Sequence, residues 1–391
     1  MKEETPRRTR KHKSSRRSIG HYVAMILLTL VVLVAGYAVR IYSQTKTAVD
    51  KTYDPVSAKA ATTSDITGKK PISILLMGTD TGEFGREYKG NTDTMIVVTI
   101  NPKTKKTTMT SIPRDTLAQI VDGNGAAAQK INAAYNANGN EAAMKTVEKL
   151  LNIPINYYVT VNMAGLEKIV NAVGGIDVNV AFTWSDSYAG KYTFTKGPMH
   201  LNGAQALAYA RMRHSDPQGD YGRQKRQREV ITQIVKKLLS TKSLGNYSTL
   251  MDSLSSSMRT NLKFDDMVAI GEKYAACIKN VSQATLQGLG VYINDASYQV
   301  PTTKELQKVS DNIRTQLGLE KTTLDNYNTK QNAYNTANGF NWNDGYNPVY
   351  TLYSSDGTAA ATSTYNDDGT TVTTTGGNTT GTTPGVGGPG Y

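Results

Sequence analysis

Basic side chains are concentrated in residues 209–227, which read YARMRHSDPQGDYGRQKRQ. The dipeptides Asp216-Pro217 and Gly219-Asp220 interrupt this stretch, so the chain is expected to turn there and bring two cationic segments together. Arginine presents a planar fork of donors and stays charged at any working pH, which suits it to phosphate oxygens. The stretch therefore predicts a phosphate-binding wall, with a solvated basic surface as the alternative.

Four side chains of this stretch are the candidates for ligand contact. Arg211 and Arg213 are two residues apart and would diverge on a helix, so a backbone that points both at one ligand must be extended or turning. Arg223 and Gln227 are four residues apart, which places them on one face of the helix that follows. The other basic residues are expected on the helix surface or in a supporting role: Lys225, Arg226 and Arg228.

Further polar residues lie at the ends of predicted strands, where an open α/β sheet places its ligands. Asp80 follows the first strand and Asp93 precedes the second, so the two carboxylates could share one hard divalent cation, Mg²⁺ or Mn²⁺. For an isolated Asp, a turn or a helix cap is the alternative. Arg114 ends the third strand and could reach phosphate, and Asp115 could pair with it or with Lys130.

A divalent metal beside several arginines is the chemistry that phosphoryl transfer from a pyrophosphate requires. The metal and the guanidinium groups neutralise charge on the transferring and leaving groups, and positioning supplies most of the rest. The chain has neither a Walker loop nor a dinucleotide-binding fingerprint. A nucleotide is therefore not the obvious donor.

The elements that must position these residues alternate between strands and helices. Strands are predicted at 72–77, 94–101, 106–112, 155–161, 176–180 and 285–293, with the second and third forming a hairpin. Helices are predicted at 140–151, 163–173 and 264–278, and a further helix follows the arginine stretch to about residue 239. This alternation predicts an α/β fold in which helices sandwich a central mixed sheet.

The two ends of the chain differ from this central domain. Residues 21–39 form an uncharged apolar run, close to the ~20 residues that cross a bilayer, and eight Lys/Arg precede it. The positive-inside rule places the N-terminus in the cytoplasm, and a cleaved signal peptide is the alternative. The predicted organisation is a basic tail, a transmembrane signal anchor, a stalk, a single extracytoplasmic catalytic domain and a disordered Asn/Thr/Gly-rich tail, at 1–18, 19–40, 41–70, 71–320 and 321–391.

Charge and cysteine content exclude several classes of protein. The net charge is +12, but half of it lies in the N-terminal tail. Because the anchor would hold the rest of the chain outside the cell, we expect no nucleic-acid partner. The single cysteine, Cys277, excludes an intramolecular disulfide and a multi-cysteine metal site.

Six motifs together resemble the LytR-CpsA-Psr family of membrane-anchored phosphotransferases, across about residues 72–239. They are ILLMGTD, NTDTMIVVTINP, SIPRDT, KINAAY, GGIDVNV and the block from LNGAQALAYARMR to GRQKRQ. The resemblance implies an extracytoplasmic enzyme of Gram-positive bacteria. Such an enzyme moves a glycan phosphate from a polyprenyl-pyrophosphate carrier to peptidoglycan, with an apolar pocket for the lipid tail. The glycan would be a wall teichoic acid, a capsule or a related polymer.

The resemblance also implies roles for individual residues. Asp80 and Asp93 correspond to the metal-binding carboxylates. Asn91 and Gly82 stand where the family usually has arginine, and Arg86 could supply one missing charge. The groups expected to hold the pyrophosphate are Arg86, Arg114, Lys130, Arg211, Arg213, Arg223 and Gln227. The groups expected to act in catalysis are Asp93, Arg114, Arg211 and Arg213.

Other functions stay open from the sequence. One is a non-catalytic or regulatory envelope protein that binds polyprenyl phosphates. Another is a pyrophosphatase that hydrolyses the lipid-linked donor without an acceptor. For the transferase, the base that accepts the proton of the incoming hydroxyl would be Asp93 or a metal-bound water.

Overall fold

The structure is a computed structural model, and it describes most of the chain after residue 47. The described residues are 43, 46–47, 52–56, 66, 68–79, 90–121, 127–185, 192–239, 257–345 and 348–354, with the backbone of 362–365, 371–375 and 378–383. The chain divides into two units, Met1–Thr47 and Ala48–Tyr391, and the elements below belong to the second. Within the described part, no helix is both long and apolar enough to cross a membrane, and the predicted anchor at 19–40 lies outside it.

Seventeen strands are described in chain order. They are β1 (Ile72–Thr79), β2 (Thr92–Asn101), β3 (Lys106–Ser111), β4 (Leu117–Gln119), β5 (Ala128–Lys130), β6 (Tyr157–Asn162), β7 (Ile176–Val180), β8 (Trp184–Ser185), β9 (Thr193–Phe194), β10 (Gly197–Leu201), β11 (Met258–Thr260), β12 (Val281–Thr285), β13 (Leu289–Ile293), β14 (Ala296–Val300), β15 (Thr362–Tyr365), β16 (Thr371–Thr375) and β17 (Asn378–Thr383). Six of them form the central sheet, in the order β11-β6-β1-β2-β3-β12. β1 is antiparallel to β2 and parallel to β6, and β3 is parallel to β12, so the sheet is mixed as predicted.

Helices cover both faces of this sheet. Seven α-helices are described over their full length: α1 (Ala133–Leu151), α2 (Met163–Ala172), α3 (Gly203–Arg211), α4 (Gly219–Leu238), α5 (Phe264–Lys273), α6 (Thr303–Gln316) and α7 (Tyr327–Ala337). Leu75 and Val97 face α1 and α6, while Ile74 and Ile96 face α5. Because side chains alternate along a strand, one continuous apolar run supplies both cores.

A further core joins α2, α3 and α4 to the small β7–β10 sheet. Trp184 and Phe194 stack with ring centroids 4.2 Å apart, and Tyr209 of α3 lies 5.7 Å from Phe194. Val230 and Ile234 of α4 are buried in the same cluster. This packing fixes α3 relative to α4, the two helices that carry the arginine stretch.

Most predicted elements are confirmed, and two need correction. The helix predicted at 140–151 is present, and Gly139, at φ 62° and ψ −149°, separates it from the first turn of α1. The single strand predicted at 285–293 is wrong, because Thr285 ends β12 and Leu289 begins β13. The helix predicted at 264–278 is α5 followed by a 3₁₀ turn, Ala275–Lys279.

The folded domain extends past the predicted boundary at residue 320. The amides of Gln331 and Asn335 on α7 each make two hydrogen bonds, of 2.7–3.0 Å, with the backbones of Tyr353 and Thr351. Tyr350, which precedes Thr351, is only 1% exposed. The prediction of disorder from residue 321 is therefore wrong for 321–345 and 348–354. Amide side chains order this segment by hydrogen bonding to its backbone, which composition alone does not reveal.

Candidate active site

Three strand ends lie side by side at one end of the central sheet, and we call this end of the strands the active-site edge. The end of β1 pairs with the start of β2 through Thr79 and Thr92. β3 is antiparallel to β2, so it also ends at this edge and leads into Arg114. The antiparallel register therefore brings Asp93 and Arg114 together, although they are 21 residues apart in sequence.

Asp93 and Arg114 form the first wall of the site. Arg114 Nη1 donates a short hydrogen bond to Asp93 Oδ1, and Arg114 Nε lies 3.7 Å from Asp115. Lys130 Nζ pairs with the other oxygen of Asp115 at 3.0 Å. Burial of Arg114 opposes its charge, but the attraction of Asp93, Asp115 and Asp220 outweighs it and raises the pKa of Arg114. Arg114 is thus a fixed, permanently charged donor.

The turn between α3 and α4 forms the second wall. The capping box of Asn202 and Gln205 begins α3, and the helix ends at Arg211. Met212 then adopts an extended conformation, φ −56° and ψ 130°, which confirms the predicted break between the two arginines. Arg213 is half-buried and lines an open cavity of about 340 Å³ with Asp216 and Asp220.

Arg226 of α4 holds this turn in place from inside. Its Nε donates to the carbonyl of Tyr209 at 3.0 Å, its Nη2 donates to the carbonyl of Met212, and its Nη1 binds Asp216. Asp216 packs so closely on Gly222 that a Cβ there would lie 1.9 Å from its Oδ2. Arg226 therefore neutralises Asp216 and satisfies two carbonyls at the end of α3.

Arg223 of α4 is where the two walls meet. It is 8% exposed, its Nη2 lies 2.5 Å from Asp220, and its buried Nε has no hydrogen-bond partner among the described residues. Burial is the largest cause that lowers the pKa of Arg223; Arg114 and Arg213 lower it further, against the attraction of Asp220 and Asp93. Charges from both walls therefore act on Arg223, and its Nε–H remains available to a ligand.

Unpartnered oxygens lie on the same elements. Gln224 donates to Asp220 at 2.6 Å, but its own buried Oε1 has no partner within the described part of the chain, and neither does the hydroxyl of Thr92. Buried polar atoms are normally paired, so these atoms indicate a place for water or a polar ligand. Sequence reasoning missed Asp220 and Gln224, although their spacing around Arg223 puts all three on neighbouring turns of α4.

Comparison with known proteins gives the family. The sequence profile of the LytR_cpsA_psr family matches residues 38–315. The chain belongs to the LytR_cpsA_psr family. This confirms the resemblance predicted from the ordered motifs.

Named relatives in this family share much of the chain. The polyisoprenyl-teichoic acid–peptidoglycan teichoic acid transferase TagU of Enterococcus faecalis is 45% identical over 292 residues, which are 75% of this chain and 95% of that protein. Biofilm regulatory protein A of Streptococcus mutans is 41% identical over 324 residues, 79% of each chain. The crystal structure of B. subtilis TagV is 36% identical with a TM-score of 0.56, and it covers 64% of this chain and 99% of that one.

The remaining residues predicted for a LytR_cpsA_psr site lie as follows. Arg211 is exposed at the end of α3, and Gln227 is half-buried one turn after Arg223. Lys130 joins the first wall through Asp115 and lies 5.5 Å from the ring centre of Tyr298. The predicted positions that lie outside the described residues are Asp80, Gly82 and Arg86.

Two arginines expected at the surface or in support are buried. Arg226 is 7% exposed and Arg228 is 3% exposed, so a surface position is wrong and a supporting role is correct. Arg228 donates to Ser111, Gln283 and Thr285 at 2.5–3.1 Å, which ties α4 to β3 and β12. Burial lowers the pKa of Arg228 to about 10.

The described part of the chain offers few carboxylates to a metal ion. Within the described residues, no group of three or more His, Cys, Asp or Glu side chains could hold a metal ion. Asp93 lies at the site edge and uses one oxygen to bind Arg114, which leaves its second oxygen for a cation. One carboxylate oxygen fits a Mg²⁺ ion that takes most of its ligands from water and phosphate.

Proposed function

We propose that this chain is a membrane-anchored transferase that moves a glycopolymer phosphate from a polyprenyl-pyrophosphate carrier to peptidoglycan. The polymer would be a teichoic acid or a related wall or capsule polymer. The observation that carries the proposal is Arg223, a buried guanidinium with an unused Nε donor, placed among the charges of Arg114, Arg213 and Asp93. The named activity of the Enterococcus relative supports the same substrates.

The transfer exchanges one phosphorus–oxygen bond for another. An acceptor hydroxyl oxygen of peptidoglycan bonds to the phosphorus that carries the glycan, and the bond from that phosphorus to the bridging oxygen breaks. The lipid phosphate leaves with the bonding electron pair, and the hydroxyl proton passes to a base. Arg114, Arg213 and Arg223 would bind the pyrophosphate oxygens and stabilise the charge that develops on the leaving phosphate. Asp93 and Asp220 hold two of these arginines in position.

A divalent cation is part of the proposal. Asp93, with Asp80, would hold Mg²⁺ or Mn²⁺, which neutralises pyrophosphate charge when it is bound. Asp93→Asn should abolish Mg²⁺ binding measured by calorimetry in the absence of donor. Unchanged Mg²⁺ affinity in that variant would remove Asp93 from the metal site.

Membrane attachment through residues 19–40 is also proposed, with the catalytic domain outside the cell. The uncharged apolar run and the basic residues before it support this topology. Protease added to intact cells should digest the domain and leave a short membrane-bound N-terminal fragment. Recovery of the intact chain after such digestion, or of the domain free in the medium, would contradict the anchored topology.

One experiment separates the proposed function from its alternatives. The protein is incubated with a labelled lipid-linked glycan, with and without peptidoglycan. A transferase gives labelled peptidoglycan and polyprenyl phosphate only when the acceptor is present. Donor cleavage without acceptor indicates a pyrophosphatase, and binding without cleavage indicates a non-catalytic protein. Either of these two results would overturn the proposal.

A further inference from the structure

The edge of the central sheet opposite the active site carries many exposed lysines. β1 and β3 begin at this edge, the β2–β3 turn lies on it, and the 3₁₀ turn leads into β12 there. The segments 68–71, 101–107 and 272–280 contain only one acidic residue, Glu272. We call their basic side chains the lysine face: Lys69, Lys70, Lys103, Lys105, Lys106, Lys273 and Lys279.

Hydrogen bonds tie these segments into one surface. Lys273 Nζ donates to the carbonyl of residue 66 at 2.9 Å, and the hydroxyl of Tyr274 donates to the carbonyl of Lys70 at 2.8 Å. On the other side, the backbone N–H of Thr107 donates to Asn280 at 2.9 Å. The lysine face is therefore continuous across the edge, from the entry of β1 to the entry of β12.

Most of the lysine face lacks counter-charges. Within the described part of the chain, no carboxylate pairs with Lys70, Lys103, Lys105, Lys106 or Lys279, and all but the half-buried Lys106 are exposed. Lysines elsewhere do find partners, as Lys145 does with Glu141 at 2.6 Å. Unpaired cations that share one surface raise the local positive potential.

The turn between β2 and β3 has a lysine at a position whose backbone conformation disfavours it. Lys105 has φ 50°, in the left-handed region, where a side chain carries a conformational cost and Gly or Asn is the usual choice. A lysine at this position places a charge at the tip of the turn despite that cost.

We propose that the lysine face binds wall-linked phosphodiester glycopolymer, the product of the proposed function, on which this inference rests. Exposed lysines on flexible stems suit the repeated, irregularly placed phosphates of such a polymer better than a single rigid anion. β1 has eight residues, so the lysine face lies ~26 Å from the active site and does not serve the reacting pyrophosphate.

The position of the lysine face in the domain favours the wall over the membrane as the source of the polyanion. The proposed donor is lipid-linked, so the active-site end of the sheet would act at the membrane. The lysine face lies where β1 and β3 begin, at the opposite end of the same sheet.

A charge-neutralising variant tests the proposal. It combines Lys103→Gln, Lys105→Asn, Lys106→Gln and Lys279→Gln, with Asn chosen because it tolerates the left-handed conformation. The control removes four exposed lysines elsewhere: Lys168→Gln, Lys196→Gln, Lys236→Gln and Lys304→Gln. Both variants of the full chain lose the same charge. Binding to purified soluble teichoic acid and to phosphatidylglycerol vesicles is measured at several salt concentrations.

The lysine-face variant should bind the polymer at least about tenfold more weakly than the control, with a shallower salt dependence. Equal weakening in both variants would overturn the proposal, because net charge alone would explain the binding. A selective loss of vesicle binding would also overturn it, in favour of a membrane-facing surface. Turnover of a short lipid-linked donor should be the same in both variants. Absence of turnover in the wild type would overturn the proposed function, while the polymer measurement still tests the surface.

Discussion

The two ends of the central sheet carry positive charge in opposite ways. At the active-site end, Arg114, Arg223 and Arg226 are largely buried, and each is held by an aspartate. At the other end, the lysine face is exposed and mostly lacks acidic partners among the described residues. A buried, paired arginine keeps its donors in one geometry, whereas an exposed lysine adapts to its ligand. The arginine donors at the active-site end are therefore held in fixed positions, whereas the lysine side chains at the other end can move to contact a ligand.

The largest effect is expected for Arg226→Ala, at the active-site end of the sheet. Removal of one partner of a buried ion pair should lower the free energy of unfolding by about 3–5 kcal/mol, because Asp216 would stay buried without a counter-charge. Urea denaturation measures the change. Lys225→Ala is the control, since Lys225 is the exposed neighbour on the same helix. A loss below about 1 kcal/mol, the range of surface pairs, would contradict the supporting role of Arg226.

Arg223→Ala should act mainly on turnover, because its partner Asp220 is 28% exposed and would stay partly solvated. Loss of a preorganised donor to developing charge typically lowers kcat by about 10²–10³. Arg223→Lys should recover only part of the activity, because lysine restores the charge but not the planar fork. Steady-state transfer to peptidoglycan measures both variants. Activity equal to wild type in Arg223→Lys would show that charge alone suffices at this end of the sheet.

The pair of Asp93 and Arg114 should be coupled more weakly, because about a quarter of each side chain is exposed. A double-mutant cycle with alanine at both positions should give an interaction energy of about 0.5–3 kcal/mol in urea unfolding. High salt should reduce it, since exposed charges are screened. An interaction energy of zero would mean that this wall is not preorganised.

At the lysine face, Lys105→Gly should have the smallest effect. Glycine relieves the left-handed conformation but increases the entropy of the unfolded chain, so the stability should change by less than ~1 kcal/mol. Thermal unfolding checks this, with Lys103→Gly in the same turn as a control that gains no backbone relief. A larger loss in Lys105→Gly would show that the Lys105 side chain supports the fold.

The regular part of the fold was predictable because its signals are local. The apolar runs of β1 and β2 are long enough to indicate buried strands, and the Asn101-Pro102 turn between β2 and β3 indicates a hairpin. Once that hairpin is accepted, Asp93 and Arg114 must share an edge of the sheet. The wall formed by Asp93 and Arg114 depends on strand register, so it could be predicted from the sequence.

The other half depends on contacts between distant segments. Nothing in the spacing of Asp216 and Arg226 shows that the arginine folds back to cap α3, so the sequence left Arg226 open between the helix surface and a supporting role. Gln331 and Asn335 likewise read as part of a polar tail, because their hydrogen bonds to the backbone of 351–353 leave no apolar pattern. Polar groups that are satisfied over long range are invisible to periodicity.

The segment 348–354 has a consequence for how the domain is isolated. β13 pairs with β14 on one side, and on the other its Tyr292 exchanges backbone hydrogen bonds with Pro348 and Tyr350 at 3.0 and 2.8 Å. A fragment that ends at residue 320 would expose this strand edge, and open strand edges recruit other chains. Residues 48–320 should therefore form larger particles by light scattering than residues 48–354, and equal sizes would contradict this. Residues 348–354 thus cover an otherwise open strand, and we expect them to keep the isolated domain from associating with other chains.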